Sequence, residues 1–172
     1  MKKLMILILS AAMVLCLAAC GGNNEPTGTE TPGISGNPNE PSFTFTYQGT
    51  EIALHAPAEP IITALGEPKS YSESTSCAFE GLDKTYGDGS FYIQTYPIGD
   101  KDYIYGWWFV DDLVSNDEDI SIGSTLAEVD AMYGIENYNG SNAFQIKKGS
   151  GMLTIILEND VVTSVQYTII TE

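Results

Sequence analysis

The amino-acid sequence predicts an α+β domain made of two tandem helix-plus-antiparallel-meander repeats, forming one sheet with helices on one face. Three observations predict it. Two short apolar stripes at helical spacing each close on a glycine: Ile61, Ile62 and Leu65 before Gly66, and Leu126, Val129, Met132 and Tyr133 before Gly134. Each stripe is followed by short β-rich runs separated by turn residues. An offset of 68 residues lays Glu51–Leu54 over Asp119–Ile122, Ile61 over Val129, Leu65 over Tyr133 and Gly66 over Gly134.

The N-terminus reads as a targeting segment, residues 1–19, and not as part of the fold. Lys2 and Lys3 supply a positive start, and Leu4 to Leu17 form an apolar run broken only by Ser10. That run is shorter than the ~20 residues a membrane-spanning helix needs. Its end, Leu17-Ala18-Ala19-Cys20, resembles the lipobox of bacterial lipoproteins. The resemblance implies export, cleavage between Ala19 and Cys20, and diacylation of Cys20. Several acyl chains hold firmly, since each buried CH₂ adds about 0.8 kcal/mol of membrane affinity. The expected location is the cell membrane, lipid-anchored and facing the extracytoplasmic side.

Residues 20–42 carry the lipidated cysteine and a Gly-, Pro-, Asn- and Thr-rich tract in which Ile34 is the one sizeable apolar side chain. Such a tract cannot bury enough surface to offset its ordering entropy, so a disordered spacer is expected. It would span roughly 25 Å on average. The folded domain is expected over 43–172, with halves of about 43–110 and 111–172.

Within it, a hairpin is expected over 43–47 and 50–54, turning at Gln48-Gly49. The first helix carries Pro57 and Pro60, tolerated only in an opening turn whose amides lack intrahelical partners. Gly66 stops it and Pro68 prevents resumption. Strands are expected at 75–80, 90–96 and 103–110. The second helix has a capping box, Thr125 with Glu128, and its strands follow at 142–147, 151–157 and 161–170.

The segments Ile122-Gly123-Ser124-Thr125, Glu128-Val129, Tyr133-Gly134 and Leu65-Gly66-Glu67-Pro68 resemble the Gly-x-Ser/Thr, Glu-Val and Leu-Gly-x-Pro strings of two families. These are the β-lactamase-inhibitor-protein-like fold and the SmpA/OmlA outer-membrane lipoproteins. The likeness covers about twenty residues per copy. The chain departs from the inhibitor in lacking disulfide-forming pairs, and it shows one helix per copy where those folds often have two. The resemblance implies a binding or assembly-scaffold module, not an enzyme.

Charge narrows the partners. The segment beyond residue 19 holds five lysines, no arginine and 23 acidic residues, a charge of −18. Such a surface repels nucleic acid and anionic headgroups. Cys16 lies in the targeting segment and Cys20 is the lipid site, so Cys77 has no partner for a disulfide within the chain. It is expected as a buried thiol on a strand. One histidine, His55, excludes a histidine-cluster metal site within the chain, and no Gly-x-Ser-x-Gly elbow accompanies it. A histidine at a strand end is the simpler reading. The acidic run Asp111, Asp112, Asn116, Asp117, Glu118 and Asp119 has the oxygen ligands calcium prefers, but not the spacing of an EF-hand. A solvated loop between the repeats is the better reading, and Asp83 and Asp88 read as turn formers. No cofactor is expected.

Aromatic residues are the best remaining clue. Eight of the 18 fall between Phe91 and Phe109. On an extended strand Tyr103, Tyr105, Trp107 and Phe109 point one way, while Ile104, Trp108 and Val110 point the other. By analogy with the strand Val161–Ile170, Trp107 faces the core and Trp108, opposite Gln166, faces outward. Tyr92 and Tyr96 share one side of their own strand. Trp108, Tyr92 and Tyr96 are therefore the expected binding patch, because Trp and Tyr dominate recognition surfaces. The partner of first choice is an envelope or secreted protein, and the alternative is a cell-wall glycan or small ligand.

Overall fold

A computed structural model describes residues 40–135 and 142–171. The targeting segment, Cys20 and most of the spacer lie outside the described residues. The fold is α+β, with a seven-stranded antiparallel sheet, a separate two-stranded hairpin and two helices.

The chain opens with the hairpin β1 (Thr44–Tyr47) and β2 (Thr50–Ala53), turning at Gln48-Gly49 as expected. Helix α1 (Ala58–Leu65) follows, with Pro57 at its N-cap and Pro60 still inside the first turn. Gly66 ends it at a positive φ of 88°, its amide bonded to the Ile62 carbonyl. Four strands come next: β3 (Ser70–Thr75), β4 (Leu82–Gly87), β5 (Phe91–Ile98) and β6 (Lys101–Phe109). After the acidic loop comes α2 (Leu126–Tyr133), then β7 (Ala143–Lys148), β8 (Gly151–Glu158) and β9 (Val161–Ile169). The sheet order is β3-β4-β5-β6-β9-β8-β7, so β6 and β9 join at the centre and β3 and β7 form the edges.

Helix α2 carries the caps its sequence implies. Thr125 Oγ1 accepts from the Glu128 amide, and the Glu128 carboxylate accepts from the Thr125 amide and hydroxyl. Those bonds favour the ionised carboxylate and hold its pKa below the usual range. Gly134 closes the helix in the left-handed conformation, at φ 60° and ψ 53°. Its stripe is narrower than expected. Val129 is fully buried, Leu126 and Tyr133 are half-buried, and Met132 is about half exposed.

The first meander differs from expectation at its start. Residues 76–80, expected as most of a strand, form the loop between β3 and β4. Ser76 Oγ there accepts from the amides of Ala78 and Phe79. Cys77 consequently sits exposed in a loop and not buried on a strand. Asp83 lies within β4 and not in a turn, whereas Asp88 lies in the β4–β5 turn.

One face of the sheet is the core. Phe91, Ile93, Trp107, Tyr167, Leu153 and Ile155 have almost no exposure, and they pack in one cluster with Phe45 and Ile52 of the hairpin, Ile61 of α1 and Val129 of α2. Trp107 lies near-parallel to Tyr167, with ring centroids 5.0 Å apart, and Phe45 sits 6.3 Å away on a similar plane.

Strand β6 is irregular at a decisive point. Gln94 pairs with Gly106 and Thr95 with Ile104, so Tyr105 is an extra, bulged residue. A bulge shifts the side-chain alternation by one. Ile104 therefore joins Trp107 and Phe109 in the core, and Tyr103 goes to the other face, the reverse of strict alternation. The free edge of β6 is also divided. Trp108 to Gly106 pair with β9, while Ile104 exchanges backbone hydrogen bonds with His55 and Ala56. Gly106 sits at the changeover, where any Cβ would collide with the Tyr167 carbonyl oxygen.

Candidate functional site

Register lines up the outer face of the sheet into two transverse rows. The first runs Ser70, Gly87, Tyr92, Trp108, Gln166, Thr154 and Gln145 from edge to edge. The second runs Ser72, Thr85, Gln94, Gly106, Thr168, Met152 and Lys147. Lys147, on an edge strand, is the one charged residue of the two rows, in a chain whose formal charge is −16.

Tyr92 and Trp108 sit side by side near the middle of the first row. Their ring centroids are 5.2 Å apart and their planes differ by 24°. Both are half-buried. The Tyr92 ring occupies the space a side chain on Gly87 would fill, since a Cβ there would lie 2.6 Å from Tyr92 Cε1. Glycine on β4 thus lets the Tyr92 ring settle against the sheet. Gln166 flanks Trp108 across the strand pair, and Gln94 lies two residues along β5 from Tyr92. No side-chain hydrogen bond ties either amide to another described residue.

Tyr96 does not belong to this patch. It keeps the alternation of Tyr92, but its exposure is 1%. Phe79, from the β3–β4 loop, covers it at a centroid distance of 4.6 Å, with Tyr103 and Tyr105 alongside. Its hydroxyl meets His55 Nδ1 at 3.0 Å, and burial pushes its pKa up. The expected three-residue patch is therefore a pair, Trp108 with Tyr92, and Tyr96 is part of a satellite core.

His55 closes that satellite core. It follows β2 in a left-handed conformation, φ 63°, and its other ring nitrogen lies 2.9 Å from Ser150 Oγ. Ser150 is fully buried in the β7–β8 turn, which leaves no path for a substrate to reach its hydroxyl. The Ser150–His55–Tyr96 chain is structural. Desolvation lowers the His55 pKa. Below the unfolded value of about 6.5 the unfolded chain binds a proton that the folded chain resists. His55 thus contributes a loss of stability as pH falls from 7.5 towards 5. His55→Asn, which suits a left-handed backbone, removes that titration. The difference in urea midpoint, wild type minus variant, is expected to fall on acidification across that window.

The acidic loop is ordered by its one amide residue. Asn116, 4% exposed, donates to the hydroxyls of Tyr133 and Tyr167 at 2.8 and 2.6 Å and accepts from the amides of Ile120 and Glu118. The carboxylates scatter: Asp111 accepts from Ser90 and from the Leu113 amide, and Asp117 from Thr44. Among the described residues no three His, Cys, Asp or Glu side chains come together as a metal site.

A concavity that the sequence did not reveal lies between α1 and strands β4 and β6, lined by Glu59, Ile62, Tyr86, Asp100 and Asp102 among others. Beside it Lys84 and Asp102 form an ion pair at 2.7 Å, and Tyr71 and Tyr86 pack at 5.2 Å. Asp102 is thus held by Lys84 at the rim of the concavity. The concavity was hidden because its lining comes from α1, β4 and the β5–β6 turn with β6, segments that only the tertiary fold brings together.

Among the described residues no helix is long and apolar enough to cross a membrane. Comparison with protein-family models, with curated proteins and with solved structures finds no match for the chain.

Proposed function

We propose that the chain is an exported lipoprotein, anchored at Cys20, whose domain serves recognition rather than catalysis and binds its partner through the outer face of the sheet. The observation that carries this reading is the Tyr92–Trp108 pair, partly exposed at the centre of a face with one charge in fourteen aligned positions. An acidic protein that needed only solubility would be expected to spread its charges over this face too. Large rings left partly accessible on a sheet face suit an interface core.

The same reading includes two related halves. Helices α1 and α2 have equal length and lie 68 residues apart, each leads into a meander, and the two meanders meet at β6 and β9. With both helices on the core side, the opposite face stays open, as a binding or assembly scaffold of the inhibitor-like or SmpA/OmlA-like kind requires. Either partner class, an envelope or secreted protein or a cell-wall glycan, would use that face.

Two measurements test the proposal. Expression in a bacterial host with a labelled fatty acid is expected to label the wild type and leave Cys20→Ser unlabelled and released from the membrane fraction. Crosslinking and affinity capture from envelope fractions are expected to recover a partner with the wild type and lose it with Trp108→Ala. An unlabelled wild type overturns the anchor, and capture unaffected at Trp108 overturns the assigned face.

A further inference from the structure

The outer face has a chemistry specific enough to choose between those partners. Its two central rings are bordered by side chains that are neutral yet rich in donors and acceptors: Gln94 and Gln166 beside the rings, Thr154 and Thr168 beyond. A primary amide offers two donors and two acceptor sites, and no other described residue uses those of Gln94 or Gln166. The chain carries its carboxylates elsewhere, and the groups around the rings are amides and hydroxyls, which pair with uncharged donors and acceptors. In the two rows the one charge, Lys147, lies at the far edge from the rings.

The ligand that matches is uncharged, extended and covered in hydroxyls. Sugar rings present apolar C–H faces that pack on aromatic rings, while their hydroxyls need partners such as amides and threonine hydroxyls. The Tyr92 ring, settled over Gly87, and the Trp108 ring stacked against it stand on an open sheet face and not in a pocket. Such a face suits a stretch within a polymer better than a small free sugar.

We infer that the outer sheet face binds a neutral polysaccharide, with the exposed part of the stacked Tyr92–Trp108 pair packing on a sugar ring and Gln94 and Gln166 hydrogen-bonding its hydroxyls. This rests on the recognition reading and adds the ligand class to it.

The test is affinity electrophoresis of the full-length chain in a sugar-free non-ionic detergent. The native gels contain a soluble β-1,4-glucan, a mannan, an α-1,6-glucan or, as the charged control, polygalacturonate. At least one neutral polymer is expected to retard the wild type, and polygalacturonate is not. Trp108→Ala is expected to weaken the retardation by about tenfold or more and Gln166→Ala by less, with urea unfolding confirming that each variant folds. Trp108→Tyr is expected to keep most of the binding. Retardation by no neutral polymer overturns the inference, as does retardation that Trp108→Ala and Gln166→Ala leave unchanged. Protein capture that depends on Trp108, with no retardation in any gel, overturns the sugar ligand while leaving the recognition reading intact.

Discussion

Trp107→Ala is expected to lower the free energy of unfolding by about 3–5 kcal/mol, the range for removing a buried large aromatic side chain, whereas Trp108→Ala is expected to cost about 0.5–1.5 kcal/mol. The two residues are neighbours in sequence and identical in chemistry. What separates them is the strand's alternation. Trp107 has no exposure and lies between Tyr167, at 5.0 Å, and Phe45, at 6.3 Å. Truncating it leaves a hole bounded by both sheet and hairpin, which cannot collapse without moving β1 and β2. Trp108 contacts chiefly Tyr92, and solvent refills the space it leaves. Trp107→Phe adds a control. The Trp107 indole N–H is buried without an acceptor among the described residues, so phenylalanine removes that donor along with some volume. Its expected loss is under about 2 kcal/mol. Urea unfolding of the three variants checks the set, and equal losses at 107 and 108 would contradict the assignment of the two faces.

The contrast between these two residues could be read from the sequence, because matching the strand to Val161–Ile170 placed Trp108 against Gln166. Local signals were equally readable. The capping box of Thr125 and Glu128, the glycines at 66 and 134 and the turns at 48–49 and 148–151 act through a few neighbouring residues, so sequence alone reports them. Strand β3 gave no such signal. Ser-Tyr-Ser-Glu-Ser-Thr is exposed along its whole length. An edge strand held by pairing on one side needs no apolar alternation. Cys77-Ala78-Phe79 misled for the opposite reason: its apolar character serves Phe79 alone, which folds down over Tyr96 from a loop. The bulge at Tyr105 is set by the meeting of β6 with both β9 and the His55–Pro57 segment. That meeting is a tertiary event, and Gly106 is its only local trace. Tyr96 was assigned to the patch correctly by strand side and wrongly by exposure, because alternation does not reveal what a distant loop covers.

Asn116→Ala is the second large loss expected, about 3 kcal/mol, and it falls outside the main apolar core. The side chain serves four partners at once: two tyrosine hydroxyls and two backbone amides of its own loop. Truncation strands all four, in a place where unsatisfied polar groups cost about 1–3 kcal/mol each before relaxation. The residue type follows from this geometry. An amide donates and accepts together, whereas the carboxylates that surround it in sequence could only accept. A run that reads as acidic and solvated is thus fastened at its one neutral polar member. Burial with its neighbours pushes the Tyr133 hydroxyl up to about 12 and the Tyr167 hydroxyl higher still, so both stay protonated and able to share the network across ordinary pH. Tyr167→Phe removes one partner and leaves Asn116 the other, so its loss is expected near 1 kcal/mol. The double variant is expected to lose clearly less than the two single losses added, by at least about 0.5 kcal/mol, because the residues share one network. Additive losses would show that Asn116 and Tyr167 act separately. Coupling would identify Asn116 as the residue that ties the loop between the meanders to the central strand β9, and so to the junction on which the open sheet face is built.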